Sequence, residues 1–226
     1  MAIGRGARYV GCKIVLTNLI LILVVLSNLK LLASSRLGAA IRVVAAQGVV
    51  LGLLPILAHR EPLAAHALLL AAGTITLKGV VFPWLLLRAI REAHVAREVE
   101  PFVGYSASLG AGVLILGISF WMCTRLPMPA SIASSWLAPV ALFSIFVGLF
   151  LIAARKRAIS QVLGFLVLEN GVYTFGVGVT SRTPLIVEIG VLLDVFVAVF
   201  IMGITIFHIQ REFDHTAAAP AGDGKD

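Results

Sequence analysis

Apolar runs of about 20 residues follow one another along most of the chain, separated by short polar turns. A helix of about 20 apolar residues is long enough to cross the hydrocarbon core of a bilayer. Lipid offers no hydrogen bonds, so a spanning backbone must satisfy its own polar groups, and separate apolar runs do so as helices. The pattern predicts an all-α, polytopic membrane helix bundle with about seven transmembrane helices, at residues 14–32, 39–58, 63–87, 102–122, 134–154, 159–180 and 184–209.

Composition supports this class. Only 13% of the residues are charged and 60% are hydrophobic, whereas a soluble domain carries about 25% charged residues. The net charge of +7 comes from basic residues in the turns, where membrane orientation explains them, so we expect contact with the lipid bilayer and no nucleic-acid partner. We divide the chain into a four-helix membrane segment at residues 1–130, a three-helix segment at 131–213 and a disordered tail at 214–226.

The distribution of Lys and Arg predicts the orientation. Eleven of these residues fall on one side of the seven predicted spans and six on the other. The positive-inside rule assigns the larger group to the cytoplasm. The N-terminus would then lie outside and the C-terminus in the cytoplasm, in a bacterial cytoplasmic (inner) membrane. The first apolar run exceeds the 7–15 residues of a signal-peptide core, so we interpret it as a retained span.

Three carboxylates fall inside the last two apolar runs. Glu169 lies twelve residues after Arg157, about 18 Å along a helix, and Asp194 lies ten residues after Pro184, about 15 Å from the other side. Both acids should therefore lie near the middle of a core about 30 Å thick, whereas Glu188 lies about one turn inside the outer surface. A charge at the bilayer centre costs from about 2.5 to more than 10 kcal/mol, and such residues usually mark an ion path.

Lys78 is the cation expected to meet these acids. It lies ten residues before Arg88, about 15 Å along a helix and so at a comparable depth. A lysine–carboxylate pair would keep the buried ions from being unpaired, and a carboxyl group that is both buried and close to a cation can exchange a proton near neutral pH. Glu169, Asp194, Lys78 and Glu188 are therefore our candidates for proton translocation. Two alternatives stay open: a static pair that fixes helix packing, and a lysine that extends to the interface.

Small residues and a proline indicate where helices should pack or bend. Gly104, Ser108 and Gly112 repeat every four residues in the fourth predicted helix, a spacing that lets helices approach closely in a bilayer. Pro83 can kink the third predicted helix and free a backbone carbonyl group. We assign these four residues to helix packing.

The sequence has no motif for a bound cofactor. Cys12 and Cys123 are far apart, neither belongs to a CxxC or Cys/His cluster, and there is no phosphate-binding loop. We therefore expect no cofactor, no metal site and no catalytic residue. A chain of this kind would be a transporter by itself or a membrane part of a larger assembly.

The last three predicted spans resemble the small K-type subunit of bacterial complex I and the C-type subunit of multisubunit cation/proton antiporters. The middle helix of that family has a glycine, an intramembrane glutamate and an asparagine, and Gly164 and Asn170 match the first and the last. The acid departs from the pattern, because Leu166 occupies the family's position and Glu169 follows three residues later. A shift of three residues keeps roughly the same helix face, one turn deeper.

The chain resembles one narrower family over about two thirds of its length: hydrogenase-4 component E, a membrane subunit of group 4 [NiFe]-hydrogenase and formate hydrogenlyase-type complexes. The resemblance is carried by LKGVVFPWLLLRAIRE, REVEPFVGYSASL, ISQVLGFLVLENGVYTFG and VEIGVLLDVFVAVFIMGITIFHIQREFD. It implies a proton-channel-forming subunit beside larger antiporter-like subunits, with electron transfer in a soluble oxidoreductase arm. Either Glu188 or Asp194 would match the second acid of the K-type family.

These observations together predict a membrane-arm subunit of a complex I-like respiratory complex, non-catalytic by itself. Glu169 and Asp194 would be the central proton carriers, Lys78 a tuning or relay cation, and Glu188 an outer entry or exit. Two alternatives remain: a subunit of a multisubunit cation/proton antiporter without a redox arm, and a purely structural membrane adaptor.

Overall fold

The structure is a computed structural model that describes residues 3–54, 57, 72–92, 102–126 and 135–179. All the elements longer than one residue in these ranges are helices. They are α1 (Ile3–Ala33), α2 (Leu37–Gly52), a π-helical turn (Leu77–Val81) that leads directly into α3 (Phe82–Glu92), α4 (Tyr105–Arg125), α5 (Leu137–Ala154) and α6 (Ala158–Val179).

Five of the described helical stretches are long and apolar enough to cross a membrane, which confirms the all-α membrane class. They are Gly11–Ala33, Ala72–Arg91, Tyr105–Arg125, Leu137–Ala154 and Ala158–Val177. Helix α2 is also apolar but shorter. The third predicted helix, expected to end at Leu87, continues through Arg88 and Arg91 to Glu92, the last described residue of α3. The seventh predicted span, which holds Glu188 and Asp194, lies outside the described residues.

Helices α5 and α6 pack closely because glycines line their contact. A Cβ atom at Gly148 would lie 2.5 Å from the backbone nitrogen of Leu168, and one at Gly171 would lie 2.7 Å from the backbone nitrogen of Ile145. Neither position therefore has room for a side chain. Small residues of this kind let two helix backbones approach each other, which is how membrane helices gain dispersion contacts.

The other helices surround this pair. Helix α1 contacts α2, α4 and α5, while α2 lies between α1 and α6 and also contacts α3 and the π-helical turn. Five helix termini meet at one end of the bundle, where α1 and α5 end and α2, α4 and α6 begin. The backbone N–H of Phe102 donates to the carbonyl oxygen of Ala154 there, at 3.0 Å. We refer to this end, where Arg155 follows α5, as the Arg155 end.

The apolar core falls into two clusters. One lies toward the Arg155 end and includes Leu32, Val44, Phe82, Val147 and Val167. The other lies toward the opposite end and includes Leu21, Val24, Leu51, Leu137 and Val140. Helices α1 and α2 contribute to both clusters, and the buried polar side chains Asn28 and Gln47 lie on them between the two sets.

The π-helical turn has a local cause in the sequence. Pro83 has no backbone N–H to donate to the carbonyl of Gly79, and its ring would crowd that carbonyl in a regular α-helix. The chain widens by one residue instead, and the N–H of Phe82 donates to the carbonyl of Leu77. In place of the kink predicted at Pro83, the helix is locally widened, and such turns are frequently found at functional sites. Lys78 lies within it.

Candidate functional site

The centre of the bundle holds a buried ion pair between Lys78 and Glu169. The lysine Nζ lies 2.6 Å from Oε1 of the glutamate, and the two side chains are only 5% and 2% exposed. The ring of Tyr173 lies next to the ammonium group, with its centroid 5.2 Å from Nζ. Lysine and glutamate are rarely buried unless they are paired. The structure thus brings together two of the four residues that the sequence predicted for proton translocation.

Two glycines, Gly48 and Gly79, let Lys78 lie close against α2. A Cβ atom at Gly48 would lie 2.6 Å from the Cβ of Lys78, and one at Gly79 would lie 2.5 Å from Cγ2 of Val49. The widened turn and the missing side chain of Gly48 let the lysine backbone approach α2 closely. The lysine side chain can then reach across to α6 rather than to the membrane surface. The alternative that Lys78 extends to the interface is therefore wrong.

A chain of hydrogen bonds continues from the lysine through α6, α2 and α1 to α5. Lys78 Nζ donates to Oδ1 of Asn170 at 3.2 Å, and Asn170 Nδ2 donates to Oε1 of Gln47 at 3.2 Å. Gln47 Nε2 donates to Oδ1 of Asn28 at 2.9 Å, and Asn28 Nδ2 donates to Oγ of Ser144 at 2.9 Å. This polar layer of six residues, Lys78, Glu169, Asn170, Gln47, Asn28 and Ser144, joins five helices at the level between the two apolar clusters.

The direction of this chain follows from the chemistry of lysine. An ammonium group can only donate hydrogen bonds, so Asn170 must present its oxygen to Lys78 and its NH₂ group to Gln47. The same reasoning orients Gln47 and Asn28 in turn, until Ser144 accepts and passes its own proton to the carbonyl of Val140 at 2.9 Å. Every bond therefore points away from the lysine, and in a low-dielectric interior such an aligned chain is mutually polarised.

The polar layer lies deep in the bundle. Ten residues separate Gln47 from the start of α2 and ten separate Ser144 from the end of α5, which is about 15 Å in each case. Both termini are at the Arg155 end. In a hydrocarbon core about 30 Å thick, this depth is close to the middle. Glu169 and Lys78 thus lie at one level, as their separate positions in the sequence predicted.

The ion pair can exchange a proton, and the amide chain cannot. Transfer from Lys78 Nζ to Glu169 Oε1 would convert an ammonium and a carboxylate into an amine and a carboxylic acid, without changing the total charge. Amide groups, by contrast, donate and accept hydrogen bonds but neither gain nor lose a proton near neutral pH. The amides therefore orient and polarise the lysine, while the acid and the lysine carry any proton chemistry.

The remaining predicted residues have different outcomes. A Cβ atom at Gly112 would overlap the side chain of Leu32, so Gly112 lies in the contact between α4 and α1. Ser108 is fully buried, and its hydroxyl group donates to the carbonyl oxygen of Val103 at 3.3 Å. Gly104 is the residue before α4, and no atom of the described residues lies within 4 Å of the point that its Cβ would occupy, so its packing role stays a prediction. The repeat of small residues runs past the start of the helix there. Glu188 and Asp194 lie outside the described residues, and their predicted roles stay predictions.

Sequence reasoning missed four residues of this site. Asn28, Gln47 and Ser144 complete the polar layer, and Gly48 gives the lysine room. Asn28 is flanked by Ser27 and Lys30, so it is not distinctive, whereas Gln47 is the only polar side chain between Val43 and Leu54. Their partners lie 116 and 19 residues away, respectively, along the chain, and only the fold brings them together.

Replacing Gln47 with Leu should destabilise the protein by about 1–3 kcal/mol, because it leaves Oδ1 of Asn28 and Nδ2 of Asn170 buried without their partner. Unfolding in mild detergent, followed by circular dichroism, measures the change. The matched control is Ala46→Leu, an apolar change on the same helix at the exposed residue before Gln47. If Gln47→Leu were as stable as the control, the amide chain would not be holding the helices together.

Among the described residues, no group of three or more His, Cys, Asp or Glu side chains is placed to hold a metal ion.

The fold and the site define a class: a helical membrane protein with an ion pair buried between its spans. A comparison with known proteins then gives the family. The chain is 31% identical, over 192 residues, to the uncharacterized protein Rv0085 of Mycobacterium tuberculosis, a match that covers 84% of this chain and 86% of the relative. The chain belongs to the family of that protein. No protein-family model matches the chain, and no solved structure does.

Proposed function

We propose that the chain is a membrane-arm subunit of a complex I-like respiratory complex of the hydrogenase-4 or formate hydrogenlyase type. In this role it contributes a proton path through Glu169. The observation that supports the proposal is the ion pair of Lys78 and Glu169, because a lysine and a glutamate buried in adjoining membrane spans are expensive to keep and usually mark an ion path. The resemblance to hydrogenase-4 component E supplies the kind of complex.

In the proposed mechanism Glu169 binds and releases the translocated proton, and Lys78 sets when it does so. With the lysine protonated and 2.6 Å away, the glutamate is held as a carboxylate. Movement of Lys78 away from Glu169 removes that positive charge, so the carboxylate can take up a proton from elsewhere. Alternatively, Lys78 transfers its own proton to Glu169, which leaves a neutral amine beside a carboxylic acid. Asp194 would be the next carrier on the seventh span and Glu188 the outer entry or exit.

The proposed partners follow from what the chain supplies. It offers acid–base groups but no electron carrier, so electrons would pass through a soluble oxidoreductase arm, while larger antiporter-like subunits would complete the membrane arm. The location would be the bacterial inner membrane, with the N-terminus outside and the C-terminus in the cytoplasm. This orientation places the Arg155 end on the cytoplasmic side, in agreement with the positive-inside rule.

Glu169→Gln in the tagged, assembled complex tests the proposal. A carboxamide fills the same space but cannot bind a proton near neutral pH, so we expect proton translocation by inverted membrane vesicles to fall to background while the complex still assembles. Glu92→Gln is the matched control, because it removes one carboxylate at the last residue of α3, fourteen residues along the chain from Lys78. Unchanged proton translocation in an assembled Glu169→Gln complex would refute the proton path.

The same purification identifies the complex. Mass spectrometry of the co-purified proteins should show an oxidoreductase pair together with antiporter-like subunits. Antiporter subunits alone would instead indicate a cation/proton antiporter without a redox arm, and the two variants would then be compared in Na⁺ transport as well.

One observation favours the second candidate function, a structural adaptor. The amide chain joins four helices through Asn28, Gln47, Asn170 and Ser144, and such a chain is suited to fixing helix positions. An adaptor predicts normal proton translocation in Glu169→Gln, together with loss of assembly when Gly112→Leu separates α4 from α1.

A further inference from the structure

A second buried charge, remote from the ion pair, lies at the Arg155 end. Arg155 follows the last residue of α5, and its side chain is only 2% exposed. Its Nη2 donates to the carbonyl oxygen of Leu32 at 2.9 Å, and the centroid of the Tyr105 ring lies 4.7 Å from Cζ of Arg155. Both partners are neutral, so the positive charge is not compensated by either of them.

The other guanidinium nitrogen of Arg155 has a hydrogen bond to offer. Nη1 is buried, and none of the described residues accepts a hydrogen bond from it. Nor does any carboxylate in the described ranges form an ion pair with Arg155. A buried ion with no opposite charge costs several kcal/mol, so a buried arginine normally has an anionic partner.

Arg155 lines a small cavity whose other polar walls suit an anion. The cavity has a volume of about 20 Å³, and Ser34, Arg36 and Ser160 also line it. A single oxygen atom needs about 10–15 Å³ of such space. The cavity therefore admits one oxygen of a larger group, with the remainder outside beside the exposed Arg36.

The first turn of α2 adds to the positive character. Its residues Leu37 and Ala40 line the same cavity. The N–H groups of Ala39 and Ala40 donate to the carbonyl oxygen of Arg36. The N-cap residue Arg36 makes no side-chain hydrogen bond to the turn, so the N–H groups of Leu37 and Gly38 are the donors that the turn can offer. The N-terminus of a helix carries a partial positive charge and backbone N–H donors, which favour anions.

We propose that this cavity binds a phosphate group, one oxygen of which enters it and accepts a hydrogen bond from Nη1 of Arg155. The second arginine, Arg36, would contact the phosphate at the rim. The five helix termini at this end are where the bundle would leave the hydrocarbon core, so the phosphate of an anionic phospholipid headgroup is at the right depth. Free phosphate offers the same chemistry from solution.

The test is thermal unfolding of the full-length, delipidated protein in a neutral detergent. Phosphatidylglycerol, phosphatidylcholine and inorganic phosphate are titrated separately, and native mass spectrometry counts bound lipid. We expect saturable stabilisation by an anionic phosphate compound. Arg155→Gln should weaken its apparent Kd about tenfold or more, because a hydrogen bond to a charged group is lost. Arg36→Gln should weaken it about two- to fivefold, as for an exposed charge.

Arg42→Gln is the matched control, since Arg42 is an exposed arginine of α2 that does not line the cavity, and its apparent Kd should not change. Stabilisation by phosphatidylglycerol alone identifies a lipid headgroup, and stabilisation by inorganic phosphate that competes with the lipid identifies free phosphate. If neither compound stabilises the protein, or if Arg155→Gln and Arg36→Gln bind like the wild type, the cavity holds only water and the proposal is wrong. Arg36→Gln keeps the test decisive should Arg155→Gln fail to fold.

Discussion

Lys78→Met, with Glu169 left in place, is expected to lower the free energy of unfolding by about 3–5 kcal/mol, because it leaves a buried carboxylate without its counter-ion. Methionine is close to lysine in length, so the change removes the charge and its hydrogen bonds but keeps most of the packing. The measurement is unfolding of the purified protein in mixed detergent micelles, followed by circular dichroism.

The matched control is the double variant Lys78→Met with Glu169→Leu. Replacing both ions by apolar groups is often neutral or even stabilising, because the cost of removing two charges from water disappears with them. The double variant should therefore recover most of the stability that Lys78→Met loses. A loss below about 1 kcal/mol in Lys78→Met would instead match an exposed pair and contradict the buried geometry described above.

Gly148→Leu should lower the free energy of unfolding by about 3 kcal/mol or more, the upper end of the loss that overpacking a core causes. Its Cβ would lie 2.5 Å from the backbone nitrogen of Leu168 and 2.6 Å from the carbonyl oxygen of Gly164. Both neighbours are backbone atoms, so relief requires α5 and α6 to separate. The separation would also move Glu169 and Asn170, which are on α6, away from Lys78.

The same substitution at Gly117 is the control. Gly117 lies on α4, and no atom lies within 4 Å of the point that its Cβ would occupy. Leucine also forms helix better than glycine, by somewhat less than about 1 kcal/mol. Gly117→Leu should leave the melting temperature unchanged or slightly higher, whereas Gly148→Leu should lower it by several degrees. Equal behaviour of the two variants would mean that α5 and α6 are not in backbone contact.

Much of the described fold follows from the sequence because bilayer thickness fixes helix length. Predicted spans 102–122, 134–154 and 159–180 lie within three residues of the observed helices α4, α5 and α6. The shared depth of Lys78 and Glu169 follows from the same reasoning, since each position is a count of residues from a basic turn. A depth is one coordinate, however, and it does not say which helices are neighbours.

The rest of the site depends on helix neighbours and rotations, which the sequence does not give. Gln47 accepts from Asn170 across 123 residues of chain, and an isolated glutamine in an apolar helix gives no hint of its partner. Gly48, Gly110 and Gly117 are all glycines within apolar helices, so the sequence does not distinguish them. Of the three, Gly48 alone faces Lys78, and nothing lies within 4 Å of the Cβ position of the other two. Pro83 is the local cause of the widened turn, but proline alone permits either a kink or a local expansion, and the sequence does not give which of the two forms.

The buried ion pair also has a consequence for how the protein enters the membrane. The two spans that carry its members, Ala72–Arg91 and Ala158–Val177, have mean hydropathies of 1.3 and 1.2, the lowest of the five. Lys78 is synthesised 91 residues before Glu169, which takes about 5–18 s at about 5–20 residues per second. During that interval Glu169 is not yet there to pair with the lysine, and a lone lysine at mid-membrane disfavours insertion by about 2.5–3.5 kcal/mol. The Lys78 helix should therefore settle into the bilayer late, once α6 has left the ribosome.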